Sequence, residues 1–261
     1  MTSDSPESSL ENEKLPFTQH LDELRKRLIT CAIAVVIGFL ASYAFSKDIY
    51  LILAEPIKTY MENESSFIFT GLTEPFFTYL KLALFTGILL SSPVILHQIW
   101  CFVAPGLYQK EKKYVLPFVL LSSIFFISGV LFCFYGVFPI ACKFFSSFTQ
   151  SGLIEMKLRM SDYLSFACKF LLAFGVVFEM PIFILFLAKL GIVTHHQLSS
   201  NRKYVVVLIF IVGAFLTPPD VVSQVLMALP LLVLYEFSII LARFFGRKPE
   251  DTHAAEEESG E

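Results

Sequence analysis

The residues of this sequence that could do chemistry are carboxylates in unusual settings. Glu179 is the seventeenth of 28 residues in the apolar run Tyr163–Leu190, within Phe178-Glu179-Met180-Pro181, and Glu236 falls deep in the run Val221–Ala242. A carboxylate near a bilayer centre costs about 3 kcal/mol or more, so it needs a partner, water or a proton. Lys169 precedes Glu179 by ten residues, about 280° around a helix, and is no obvious partner. A donor for Glu179 is therefore expected from elsewhere in the fold or from another protein. Two further acids lie in polar segments. Glu23 belongs to Phe17-Thr18-Gln19-His20-Leu21-Asp22-Glu23-Leu24-Arg25-Lys26-Arg27-Leu28, and Glu111 to Trp100-Cys101-Phe102-Val103-Ala104-Pro105-Gly106-Leu107-Tyr108-Gln109-Lys110-Glu111-Lys112-Lys113. Local explanations exist for both: Glu23 can pair with Arg27 at i, i+4, and the second segment reads as an interfacial loop rich in Lys. Carboxylates of this kind can also grip a planar guanidinium with two parallel hydrogen bonds.

Catalytic signatures are missing from the sequence. It holds no P-loop, HExxH, GxSxG, paired CxxC or dinucleotide fingerprint. His20-x-x-Glu23 has helical metal-ligand spacing without a second pair to complete a site, and His195-His196 sits in a short polar loop. The reading is therefore not an enzyme, with no metal and no cofactor.

These acids must be positioned by elements that live in lipid. Of the 261 residues, 55% are hydrophobic and 16% charged, and 29 are Phe; the mean hydropathy is +0.66. Soluble domains run about 45–50% apolar and about 25% charged, so an ordinary soluble enzyme, a disordered chain and a nucleic-acid-coating protein are all excluded. Net charge is −3, with six acids after Pro249. The five cysteines lie in or near apolar runs and read as small packing residues.

Six apolar stretches, at about 28–45, 76–96, 114–141, 163–190, 204–216 and 221–242, predict membrane spans. The fifth would reach only about 20 Å at 1.5 Å per residue; hydropathy leaves open whether the bilayer thins there or the last pair forms a re-entrant hairpin. Phe17, Leu21, Leu24 and Leu28 form one apolar stripe, predicting an amphipathic helix over 17–28 at the membrane surface. Residues 1–16 read as a polar tail and 246–261 as an acidic one. The acids of the leader argue against a cleaved signal peptide. Twelve Lys and Arg residues fall on one set of flanks and five on the other, which puts both termini in the cytoplasm. Lys81, Lys169 and Lys189 lie near span ends and are expected to snorkel. Proline punctuates every span after the first (Pro93, Pro117, Pro139, Pro181, Pro218 just past the fifth, and Pro230), and no internal repeat is evident.

His20-Leu21-Asp22-Glu23-Leu24-Arg25, Ser92-Pro93-Val94-Ile95-Leu96-His97-Gln98-Ile99-Trp100, the segment Phe102 to Glu111, Val137-Phe138-Pro139, Phe174-Gly175-Val176-Val177-Phe178-Glu179-Met180-Pro181 and Leu216-Thr217-Pro218-Pro219-Asp220 occur in order along the chain. In these motifs it resembles the TatC family, the multispanning core of the twin-arginine protein translocase. The resemblance implies an all-α integral membrane protein of six helices in a cup-shaped bundle, the last two short, in the bacterial inner membrane. It also implies binding of twin-arginine signal peptides and nucleation of folded-protein export driven by the proton-motive force. Partners would be TatA- and TatB-type single-span subunits and further copies in one complex, with no nucleic acid. The signal-peptide site would involve Glu23, Arg25, Phe102 and Glu111, and Glu179 would meet the partner helix. Pro56, Pro139 and Asp220 match further motif positions. The alternative from the residues alone is a proton-coupled solute transporter using Glu179 and Glu236.

Overall fold

A computed structural model describes residues 6–59, 67–103, 115–147, 157–216 and 221–246. Glu111 and Asp220 lie outside these segments. The described chain is helical, and its one β-type pairing is an isolated parallel bridge between Ile68 and Arg159. Helix α1 (Pro6–Ala44) carries the polar segment and the first apolar run without interruption. Helix α2 (Ser46–Lys58) contains Pro56 and leads toward α3 (Glu74–Val103). Helix α4 (Val115–Phe132) passes through a π-helical turn, Cys133–Val137, into α5 (Phe138–Ser147). Helices α6 (Met160–Phe178) and α7 (Met180–Lys189) form one span broken at Glu179. A short α8 (His195–Ser200), capped by Thr194, precedes α9 (Arg202–Leu216) and α10 (Val221–Phe245).

The breaks follow from proline. Pro181 has no N–H to give the Val177 carbonyl, so the helical ladder is interrupted two residues after Glu179. In α5, Pro139 likewise cannot serve the carbonyl of Tyr135, and the wider π turn lies just ahead of it, with the Phe138 N–H reaching back to Cys133. Among the described residues five stretches are long and apolar enough to cross a membrane: Leu21–Ala44, Glu74–Phe102, Leu116–Ser147, Met160–Lys189 and Gln224–Phe245. Of the helices outside these stretches, α9 has 15 residues, about 22 Å. The short fifth stretch of the sequence is thus a short helix, and its partner α10 runs well beyond it.

Packing is set by small residues at the crossings and by aromatic side chains between them. A Cβ on Gly38 would lie 2.6 Å from the Gly87 carbonyl oxygen, and one on Gly87 would lie 2.6 Å from the Phe39 nitrogen. Helices α1 and α3 therefore meet backbone to backbone, and the Ser91 hydroxyl donates to the Ala34 carbonyl at 2.7 Å. This is how membrane helices associate when lipid offers no hydrophobic drive between them. Gly129 brings α4 equally close to Phe174 and Phe178 of α6. The main core joins α2, α3, α5 and α6 and extends to α9 and α10, with Phe166 stacked on Phe170 and Phe174 edge-on to Phe170, each at 5.2 Å along α6.

A carboxylate ties off the end where α3 and α6 begin. Glu74 is buried, and its Oε1 accepts from Arg159 Nε at 3.1 Å and the Ser161 N–H at 3.3 Å. Its Oε2 accepts from the Thr70 N–H at 2.8 Å, the Thr70 hydroxyl at 3.2 Å and the Gly71 N–H at 3.3 Å. These bonds hold the loop before α3 against the loop before α6, beside the Ile68–Arg159 bridge.

Candidate functional site

Helices α3 and α6 start at the same end of the bundle and enclose a groove. Midway along it stands Glu179, placed at the proline-induced break between α6 and α7. Its Oε1 is buried and finds no hydrogen-bond partner among the described residues. The Ser122 hydroxyl of α4 lies within hydrogen-bond reach of the same carboxylate. Ser122 in turn accepts from the indole N–H of Trp100 at 2.8 Å. The indole is fixed by stacking on Phe118 at 5.3 Å and by an edge contact with Phe186 at 4.9 Å. A relay of three helices thus holds the acid's surroundings while leaving one oxygen unmatched. Beside it opens an apolar cavity of about 320 Å³, lined by Ile88, Ser92, Ile95, Phe126, Val176 and Phe183 among others. As expected from spacing, Lys169 does not pair with Glu179.

The second region is the end of the bundle where α3 finishes. Glu23 is paired with Arg27 one turn along α1; its Oε1 accepts from both Nε, at 3.2 Å, and Nη2 of that guanidinium. Arg27 Nη1 also donates to Gln98 Oε1 of α3 at 3.3 Å. The clamp ties α1 to the last turns of α3, four residues before Phe102. The Oε2 of Glu23 accepts nothing among the described residues, and the carboxylate side chain stays 35% exposed. Arg25 is exposed on the same helix and Phe102 is half-buried. The structure therefore brings Glu23 to the end of α3 that carries Phe102; the placement of Glu111 is outside the described residues. Pro56 and Pro139 are half-buried in α2 and α5.

Glu236, expected deep in the last span, lies within the apolar stretch Gln224–Phe245, exposed on the helix surface and bonded to Arg202 Nη2 at 2.9 Å. Helices α9 and α10 form an antiparallel hairpin, and α9 is so short that its first residue stands level with Glu236, fifteen residues into α10. The hairpin is held by Gln224 Nε2 donating to the Phe210 carbonyl at 2.9 Å and by the Tyr235 hydroxyl donating to the Leu198 carbonyl at 2.8 Å. With Glu236 committed to an arginine, the solute-transporter reading loses one of its two acids.

The family model described as Sec-independent protein translocase protein (TatC) matches residues 19–230. The chain belongs to the TatC family. A TatC protein of Desulforapulum autotrophicum is 49% identical over 97% of this chain and 92% of its own length. That of Escherichia coli K12 is 41% identical over 90% and 92%. A crystal structure of the twin-arginine translocase receptor TatC superposes with a TM-score of 0.79 at 44% identity, covering 87% of this chain and all of the other. The resemblance seen in the motifs and the all-α membrane architecture are both borne out. TatC is a family of protein translocation, not of catalysis, and this chain is a multi-pass membrane subunit of that system.

Sequence reasoning missed Gln98, Ser122 and Glu74. Gln98 was a polar residue in the last turns of an apolar run, and Glu74 an acid directly before Pro75. Both signals were visible, but nothing in the sequence named their partners.

Proposed function

We propose that this chain is the receptor that binds twin-arginine signal peptides at the α1–α3 end of the bundle and nucleates export of folded proteins using the proton-motive force. The observation that carries the reading is Glu23: a partly exposed carboxylate clamped through one oxygen, with the other unpaired among the described residues. Two adjacent guanidiniums are permanently charged and present rigid donor forks, so a pair of carboxylates distinguishes them from lysines. Glu23 and Glu111 take that role, with Arg25 and Phe102 completing the surface. The excess of Lys and Arg on this end supports its placement in the cytoplasm, with both termini inside and the protein in the bacterial inner membrane.

Single-span subunits of the TatA and TatB type dock along the groove at Glu179, where the unmatched oxygen supports a polar contact from a partner helix. Pro56, Pro139 and Asp220 belong to the opposite end or to span ends. Several copies of the chain share one complex. A photo-crosslinker at position 102 should capture a precursor with an Arg-Arg signal and not its Lys-Lys counterpart, and deletion of the gene should block export of a folded reporter carrying that signal. Export that continues without the gene would refute the receptor role; capture of both precursors equally would refute the site.

A further inference from the structure

Two lysines that the sequence leaves to snorkel separately converge. Lys81 lies seven residues into α3 and Lys169 nine residues into α6. Together with Thr78, Leu82, Ser165 and Cys168 they line a cavity of about 260 Å³ at the head of the α3–α6 groove. Both lysines are exposed, and neither ammonium has an ion pair or hydrogen bond among the described residues. Depth follows from the Glu74–Arg159 ion pair that closes this end. From it, Lys81 is about 10 Å and Lys169 about 15 Å along their helices, inside the hydrocarbon edge of a ~30 Å bilayer but within a lysine stem's reach of it.

Two like charges sharing a cleft in such a medium repel one another unless an anion lies between them. Among the described residues no carboxylate is placed to serve. Glu74 is saturated by Arg159, Thr70, Gly71 and Ser161. Glu179 lies ten residues beyond Lys169, and Asp162 seven residues before it. The Thr78 hydroxyl donates to the Glu74 carbonyl at 2.7 Å, while the Ser165 hydroxyl is uncommitted among the described residues. The donors are thus two ammoniums and one hydroxyl, a set that suits an anion with several oxygens. Past the lysines the groove becomes apolar and continues into the cavity beside Val176. A charged head followed in line by an apolar channel fits one class of molecule.

We propose that Lys81 and Lys169 bind the phosphate of an anionic phospholipid whose acyl chain runs down the α3–α6 groove toward Glu179. The site stands apart from signal-peptide recognition and does not rest on it.

The test uses the full chain purified in nanodiscs of phosphatidylcholine with graded phosphatidylglycerol, reading co-purified lipid by native mass spectrometry. Wild type should retain phosphatidylglycerol over phosphatidylcholine. Lys81→Gln and Lys169→Gln should each weaken that preference about tenfold or more, and the double variant should abolish it. Lys143→Gln, at the same end on α5 but outside the groove, should change nothing. Lys81→Arg with Lys169→Arg keeps the charge and should keep the preference, which separates lost recognition from lost folding. Glycerol phosphate in solution should not displace the lipid; full displacement would mean a free-phosphate site and overturn the proposal. Equal retention of phosphatidylglycerol by the double Gln variant would also overturn it. So would cross-linking of position 81 to a single-span subunit in the absence of any lipid preference, since the anion would then be a protein carboxylate.

Discussion

Replacing Glu23 by Ala distinguishes a local role from a recognition role, because the two differ in size. Glu23 and Arg27 form an i, i+4 pair with side chains 35% and 22% exposed. A partly exposed pair of this kind is worth about 0.3–0.5 kcal/mol, so losing it alone should change peptide affinity by no more than about twofold to threefold. A charge-assisted bond to a peptide arginine is worth about 1.5–3 kcal/mol, which corresponds to roughly 10- to 150-fold weaker binding. The assay is titration of a fluorescent Arg-Arg signal peptide into the purified protein, with a Lys-Lys peptide in parallel. Glu23→Ala should weaken the first strongly and the second much less, and Glu111→Ala should behave alike. Arg27→Gln supplies the internal control. It breaks the clamp on Gln98 but leaves both acids, so its effect should stay within about threefold. If Arg27→Gln costs as much as Glu23→Ala, the carboxylate only holds α1 against α3 and the recognition argument is wrong. Equal small losses for both peptides in a correctly assembled Glu23→Ala variant would refute it as well.

Other expectations follow from single features. Glu74→Ala removes the acceptor for five donors at once and should lower the unfolding midpoint in detergent, with Glu74→Gln intermediate; an unchanged midpoint would mean the knot is ornamental. Gly87→Ala forces a Cβ to 2.6 Å from the Phe39 nitrogen and should destabilise by about 1–3 kcal/mol. At Gly213 the nearest atom would be Gln224 Cγ at 3.6 Å, an ordinary contact, so Gly213→Ala should be neutral or stabilising by up to about 1 kcal/mol; the same unfolding scans decide both. Glu179→Ala should insert normally yet lose cross-links between position 179 and a partner helix, and unchanged cross-links with normal export would remove Glu179 from the docking site.

The apolar runs were legible because lipid imposes a length and a composition on every span, and the helices fall where those runs do. Glu23 beside Arg27 was legible too, since i, i+4 pairing is a property of one helix. What could not be read was convergence between distant segments. Arg159 reaches Glu74 across 85 residues of sequence and Arg27 reaches Gln98 across 71. The partner of Glu236 was hidden for the same reason: Arg202 reaches it across 34 residues because the first residue of the short α9 stands beside it. Glycine gave a weaker signal than it deserved, for Gly38 and Gly87 look like two isolated small residues until the helices that carry them are in contact.

Two glycine crossings, α1 with α3 and α4 with α6, bring those pairs as near as backbones allow. No such crossing joins α3 to α6 along the groove, whose walls carry Ile88, Ile95, Leu172 and Val176 instead. Bulky side chains on both walls hold the two pairs apart, so the groove is a consequence of where the small residues are. The break before Pro181 then puts an acid at its middle, and the Trp100–Ser122 relay fixes what surrounds it. Covering that acid with lipid tails would cost about 3 kcal/mol or more, whereas a helix bearing a polar group at the right height would meet the unmatched oxygen. A lipid chain suits the apolar wall between the lysines and Glu179, whereas at the acid itself a polar helix is favoured; on the docking proposed above, that difference in free energy selects the partner.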